Sequence, residues 1–299
     1  MPEKVAIIGF GKMGRQIAQL CAQHGHDVKV TDSDPRMLEL GMEEIWKGRY
    51  GLEEVLRREK IEEKEALKAR SRIRTAPDIH SAVHDCTIAI EAVYEDLELK
   101  TQVFQLMDKS SSPGAILASN TSTLGIGLIS QAVKNPHRVL GMHFFNPAQV
   151  TKLIELVRSD KTSPDTVRRA RIFAEGLGKK IVECKDSPGF LTTRLGLALY
   201  LEASKMLDDG VGSVRDIDLG MRLAYGHPMG PFELADLVGL DSRLRNLEAM
   251  AQATGQITWS PPRLLRKMIA EGYLGGPLTK PGSKGGYYEY FQQSRIQVE

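Results

Sequence analysis

The stretch Gly9-Phe10-Gly11-Lys12-Met13-Gly14 constrains this chain more than any other. It fits G-x-G-x-x-G, directly after the apolar run Val5-Ala6-Ile7-Ile8 and directly before a helical apolar pattern from Met13 to Gln23 that stops at Gly25. A second strand-like run, Val28-Lys29-Val30-Thr31, ends at Asp32, 18 residues beyond Gly14. Each part has a physical task. Gly9 allows a tight turn, Gly11 lets backbone approach a pyrophosphate, and Gly14 lets helix and strand pack closely. The helix N-terminus offers N–H donors and the positive end of its dipole. Asp32 can accept hydrogen bonds from both ribose hydroxyls and would repel a 2′-phosphate, and Ser33-Asp34-Pro35 after it holds no Arg. The expected cofactor is NAD, with Phe10, Lys12 and Met13 as the remaining members of its loop.

Further strand-like runs follow at Thr87-Ile88-Ala89-Ile90, Ala115-Ile116-Leu117-Ala118 and Val139-Leu140-Gly141-Met142. Short apolar strands alternating with helices predict an α/β domain, a parallel sheet wrapped by helices. Residues 36 to 74 interrupt that rhythm with a charged helical stretch. Its part from Arg57 to Arg74 holds eight basic and four acidic residues. It reads either as a solvated helical face or as a projecting helix pair whose cations meet a phosphorylated substrate. After Lys185 the pattern is helical only, beginning at Ser187-Pro188, which reads as a helix start. That first helix runs to about Leu207, and others are expected near 213–225, 231–253 and 261–271. The expected domains are therefore 1–185 and 186–299.

Lys+Arg 40 against Asp+Glu 38 leaves a net charge of +2, which argues against a nucleic-acid partner. No apolar run reaches the ~18 residues of a membrane span, and no secretory signal is read at the start of the chain. Cys21, Cys86 and Cys184 form no CxxC pair, so neither a disulfide framework nor a metal site is expected, and the location expected is cytoplasmic.

Candidate chemistry begins with Gly141-Met142-His143-Phe144-Phe145-Asn146-Pro147. Strand-like residues run into a His at the mouth of the sheet, where open α/β folds bind ligands. Glu155 sits within the otherwise apolar Lys152-Leu153-Ile154-Glu155-Leu156-Val157. It is either an exposed edge residue or a buried carboxylate with a partner. Strands 138–145 and 152–158 around a turn at 146–151 would pair as a hairpin and bring Glu155 towards His143. A carboxylate beside an imidazole fixes its tautomer and stabilises the imidazolium, as removal of a hydroxyl proton during hydride departure requires. Ser119-Asn120-Thr121-Ser122-Thr123 follows another strand and suits either hydrogen bonds to a substrate or the capping of a helix.

Taken in order, these segments resemble the 3-hydroxyacyl-CoA dehydrogenase family, in particular its bacterial 3-hydroxybutyryl-CoA branch. The likeness adds Glu91-Ala92-Val93-Tyr94-Glu95, Lys185-Asp186-Ser187-Pro188-Gly189-Phe190 and Pro228-Met229-Gly230-Pro231-Phe232-Glu233-Leu234. It implies an N-terminal Rossmann-type doubly wound sheet and a C-terminal all-α domain that covers the substrate cleft and forms a homodimer. It implies an acyl-CoA substrate, His143 as base and Glu155 as its acidic partner. Ser122 would bond the reacting substrate, and Asn146 would lie near substrate and nicotinamide. Glu95 and Lys100 would contact NAD.

Three departures stand out. Thr193 occupies the place where the family usually has an active-site Asn. The family's CoA-contacting Ser and Lys fall on Gly48 and Val55, leaving Lys47, Arg49, Arg57 or Arg58 to serve. Either Lys280 or Lys284 would replace an NAD-contacting Lys. Two other readings therefore stay open: a related dehydrogenase of a hydroxy acid without CoA, of the gulonate type, and an NAD-binding protein without catalysis.

Overall fold

The computed structural model describes residues 2–58, 61–276 and 282–292. The chain forms two compact units, Met1–Ser187 and Pro188–Glu299. In the first, the elements run β1 (Lys4–Ile8), α1 (Lys12–Gln23), β2 (Asp27–Thr31), α2 (Pro35–Lys47), α3 (Leu52–Arg57), α4 (Glu63–Ser71), β3 (Ile73–Thr75) and α5 (Ile79–Val83). Then come β4 (Ile88–Glu91), α6 (Leu97–Ser110), β5 (Ile116–Ser119), α7 (Ile126–Ser130), β6 (Val139–Phe144), β7 (Leu153–Arg158), α8 (Pro164–Gly176) and β8 (Lys180–Lys185).

The eight strands make one sheet in the order β3-β2-β1-β4-β5-β6-β7-β8. The first six are parallel, β7 runs antiparallel to β6, and β8 runs parallel to β7. Chain direction across the sheet diverges between β1 and β4, the point where such folds open a ligand crevice. Helices cover both faces, so β4, β5 and β6 are buried along their whole length, as expected of strands that read as continuous apolar runs. Local chemistry sets the helix starts. Asp34 caps α2 ahead of Pro35, Asp96 caps α6 by accepting from Leu99 N, and Ser163 caps α8 ahead of Pro164.

The charged stretch after β2 is three helices rather than a projecting pair. One face of it joins the main core through Ile45, Leu52, Ala66 and Ala69, with Trp46 and Leu56 packed alongside. Its end turns into β3, an edge strand pairing Ile73 with Val28 and Thr75 with Val30.

The second unit holds α9 (Thr192–Asp208), α10 (Val214–Tyr225), α11 (Pro231–Val238), α12 (Leu240–Thr254), α13 (Arg263–Ala270) and α14 (Tyr287–Tyr290). Two expectations are corrected here. Helix α9 starts at Thr192 and not at Ser187-Pro188, because Gly189 (φ 73°) and Phe190 (φ 51°) adopt left-handed backbone that no α-helix can continue. The single helix expected over 231–253 is two, broken at Gly239 (φ 101°).

The run from Pro228 to Leu234 has a local explanation. Buried Asp218 on α10 accepts from Phe232 N and Glu233 N, 2.8 Å each, and so caps α11 from outside that helix. A Cβ on Gly230 would collide with Asp218. Burial pushes the Asp218 carboxyl up to about 6, against the opposing pull of those N–H donors and the Tyr288 hydroxyl. Among the described residues no helix is long and apolar enough to cross a membrane.

Candidate active site

The glycine turn leaves β1 at the crevice. Gly9 adopts φ 92° and donates to Thr31 O over 2.9 Å, and a Cβ there would lie 2.8 Å from the backbone of Ala92. A Cβ on Gly14 would collide with the Gly9 carbonyl, whereas one on Gly11 would meet no heavy atom within 4 Å. Two glycines are thus required by packing, and the third opens a space. No side chain caps α1, so its N-terminal N–H groups and dipole form an anion site beside that space. Asp32 holds the turn in place, its Oδ2 accepting from Phe10 N (2.7 Å) and its Oδ1 from Asp34 N (3.0 Å). The Phe10 ring is buried against α2, where Gly41 makes room for it. Lys12 and Met13 open α1.

This cradle fits a dinucleotide pyrophosphate. Gly11→Val is therefore expected to lower the melting temperature only modestly, through a poorer N-cap, since nothing in the fold occupies the space. It should weaken NADH binding by at least ~100-fold, by filling the volume where the phosphates approach. Fluorescence titration with NADH measures this, and unchanged affinity would mean the phosphates lie elsewhere.

At the adjoining strand ends sits a buried charge network. The Lys100 ammonium, 1 % exposed, lies 2.6 Å from Glu91 Oε1 and 3.3 Å from Glu95 Oε2, and donates to Val93 O at 3.3 Å. Glu91 also accepts from Ser119 Oγ (2.7 Å) and Val93 N (2.7 Å). Burial raises the Glu91 carboxyl above its ordinary range despite the nearby ammonium. Glu95 Oε1 accepts from Thr121 Oγ1, Ser122 N, Thr123 N and Thr123 Oγ1 at 2.5–3.1 Å. Burial pushes Glu95 up as well, but the Lys100 charge and these donors outweigh it and hold the carboxyl below its usual range. Lys100 is thus enclosed by Glu91, Glu95 and the Val93 carbonyl, and Glu95 in turn holds the loop that carries Ser122.

The hairpin of β6 and β7 places His143 directly opposite Glu155. His143 Nδ1 lies 2.8 Å from Glu155 Oε2, with the carboxylate fully buried and the imidazole 9 % exposed. Glu155 is flanked by the buried Ile154 and Leu156, so an unpaired carboxylate there would be costly, and the imidazole meets it. The Phe145 ring packs 4.4 Å from the imidazole, centroid to centroid. Phe144 N donates to Asn120 Oδ1 (2.9 Å), tying the end of β6 to the loop after β5.

Asn146, exposed at the start of the next turn, accepts on Oδ1 from Gln16 Nε2 at 3.0 Å. Thr193 lies in the first turn of α9, in the second unit. Lys284 is exposed there, 6.0 Å from the Tyr273 ring centroid, and Lys280 lies outside the described residues. Sequence reading gave no role to Gln16, Glu91 or Lys179. The available signals were a polar residue on the buried face of α1 and a carboxylate closing an apolar strand.

Comparison with known proteins decides the family. Residues 4–187 match the model of the 3-hydroxyacyl-CoA dehydrogenase NAD binding domain, and residues 189–290 that of the 3-hydroxyacyl-CoA dehydrogenase C-terminal domain. The chain belongs to the 3-hydroxyacyl-CoA dehydrogenase family. A probable 3-hydroxybutyryl-CoA dehydrogenase of Bacillus subtilis is 37% identical over 292 residues, covering 98% of this chain and 99% of its own. Human mitochondrial hydroxyacyl-coenzyme A dehydrogenase is 38% identical over 298 residues, covering 96% and 90%. The crystal structure of (S)-3-hydroxybutyryl-CoA dehydrogenase from Ralstonia eutropha superposes with a TM-score of 0.86 at 33% identity, over 95% of this chain and 99% of that one. This 3-hydroxyacyl-CoA dehydrogenase is thus an NAD-dependent oxidoreductase with a Rossmann-type first unit and a helical second unit.

Proposed function

We propose that the chain interconverts short-chain (S)-3-hydroxyacyl-CoA and 3-ketoacyl-CoA, with 3-hydroxybutyryl-CoA as its preferred alcohol, in the cytoplasm. The observation that carries the reading is the 2.8 Å contact of buried Glu155 with His143 Nδ1. With Nδ1 engaged by the carboxylate, proton exchange with substrate is assigned to Nε2. Bound NAD supplies the hydride acceptor, or in its reduced form the donor. In oxidation His143 takes the proton of the 3-hydroxyl, and Glu155 stabilises the imidazolium that forms. In reduction the same imidazolium returns the proton. Asn146 and Ser122 donate hydrogen bonds to the reacting oxygen.

Recognition of CoA phosphates falls to Lys47, Arg49, Arg57 and Arg58, from the end of α2 to the residue that follows α3. Arg57 and Arg58 pair with Glu54, at 2.5 and 2.6 Å, and Lys47 with Glu43 at 3.4 Å. All three cations are exposed, so these pairs contribute little to stability and can be exchanged for a phosphate. A homodimer through the helical unit is part of the same reading, supported by the exposed apolar side chains Val211, Leu223 and Tyr225.

The test is NADH oxidation with 3-ketoacyl-CoAs of graded length alongside free keto acids. Acetoacetyl-CoA is expected to give the highest kcat/KM, at least ~10-fold above a long-chain thioester. That margin corresponds to a ΔΔG‡ of about 1.4 kcal/mol. Turnover of free hydroxy or keto acids with none on CoA thioesters would overturn the assignment.

A further inference from the structure

Helix α1 carries two glutamines on its buried face, Gln16 at 8 % exposure and Gln19 at 2 %. An amide in such a position costs free energy unless both its ends find partners. Both ends of Gln16 are satisfied by the turn that follows β6. Ala148 N donates to Gln16 Oε1 (2.8 Å), and Gln16 Nε2 donates to Asn146 Oδ1 (3.0 Å). Gln19 reaches the same turn by accepting from Gln149 Nε2 (3.0 Å), and donates to Tyr50 O (2.8 Å). On its other flank the turn is closed by the buried Lys179, whose ammonium donates to Ala148 O (2.6 Å) and Thr151 O (2.8 Å).

The chemistry of these contacts fixes which way the Asn146 amide faces. A backbone N–H can only donate, so the Ala148 contact must take the Gln16 oxygen. That leaves Gln16 its NH2 for Asn146, and an NH2 needs an acceptor, so Asn146 must present its oxygen. The NH2 of Asn146 is thereby turned to the exposed side, as a donor. An asparagine without this partner is free to rotate its amide and offer either end.

We infer that Gln16 is a positioning residue. From the helix that begins at the NAD phosphate turn, it locks the Asn146 amide with its NH2 outward, ready to donate to the carbonyl or alkoxide oxygen of the substrate. The inference rests on the role proposed above for Asn146. It also couples cofactor and substrate sites, because Gln16 lies only two residues beyond Gly14 and moves with the start of α1.

The experiment measures kcat for acetoacetyl-CoA reduction in the unaltered enzyme, Gln16→Leu, Asn146→Ala and the double variant. Gln16→Leu is expected to lower kcat by about 10- to 100-fold through misorientation of one group, with KM for NADH changed less than ~2-fold. In the Asn146→Ala background the same substitution should have no further effect, because Gln16 acts through that amide. Gln16→Glu guards against misfolding. Followed to alkaline pH, so that the carboxyl ionises although burial raises it, it still accepts from Ala148 N but cannot donate to Asn146. Its kcat should then fall as in Gln16→Leu, at a temperature where melting curves show both variants folded. Multiplicative losses in the double variant, or full turnover in Gln16→Glu, would overturn the inference. Full turnover in Asn146→Ala would instead remove the proposed role of Asn146 itself, and with it the basis for assigning Gln16.

Discussion

Replacing His143 by Ala is expected to lower kcat for acetoacetyl-CoA reduction by about 10²–10⁴-fold, the range typical of a lost general acid or base. NADH affinity should be unchanged, because the phosphate turn is built by β1, α1 and Asp32, and none of those contacts involves β6. Glu155→Gln should show most of the same loss. The amide keeps an oxygen that can accept from Nδ1–H, so the ring can stay in place, but the negative charge that stabilises the imidazolium is gone. Rapid mixing that separates NADH binding from turnover measures both effects. A His143→Ala enzyme with more than a tenth of normal turnover would show that another group handles the proton. The proposed mechanism would then be wrong, while family membership would stand.

Loss of Lys100 is expected to be the most damaging single change to stability. Its ammonium is the counter-charge for Glu91, which is fully buried, and it also lies 3.3 Å from Glu95. Removing one partner of a buried pair leaves an uncompensated charge, at a cost of about 3–5 kcal/mol. Lys100→Met, which keeps most of the aliphatic stem, should therefore melt well below the unaltered protein. The deficit also has a predictable pH dependence. Glu91 is already raised above its ordinary value by burial, and without Lys100 it rises further. A carboxyl raised in the folded state favours folding while protonated, and that contribution is lost as pH climbs through the folded value. The deficit of Lys100→Met should accordingly be larger at pH ~8 than at pH ~5. Thermal melts at the two pH values test this, and an equal or reversed deficit would mean that Glu91 does not carry the buried charge.

How much of this was legible in the sequence depends on how local each signal is. The phosphate turn was readable because its requirements lie within one β-α-β unit. The 18-residue spacing to Asp32 is set by one helix and one strand. The approach of Glu155 to His143 was readable because two apolar runs around a short turn can only fold back, although the direct register required the structure. The edge strands were harder. Ile73–Thr75 offers one buried residue in three, and Lys180–Lys185 mixes charged and apolar residues that are partly exposed, so neither reads as core strand. Ser187-Pro188 carries the residues of a helix start, yet the left-handed Gly189 and Phe190 delay α9. The contact of Gln16 with Asn146 spans 130 positions, and no local pattern encodes it.

One reversed strand has a consequence for how the enzyme cycles. Since β7 folds straight back on β6, the imidazole and its carboxylate ride on a single ribbon stitched by backbone hydrogen bonds. Bending or breathing elsewhere displaces both together and leaves their separation intact. The pair proposed to handle the proton is therefore held together by the sheet itself, and on that proposal binding has only to deliver the reacting carbon to it.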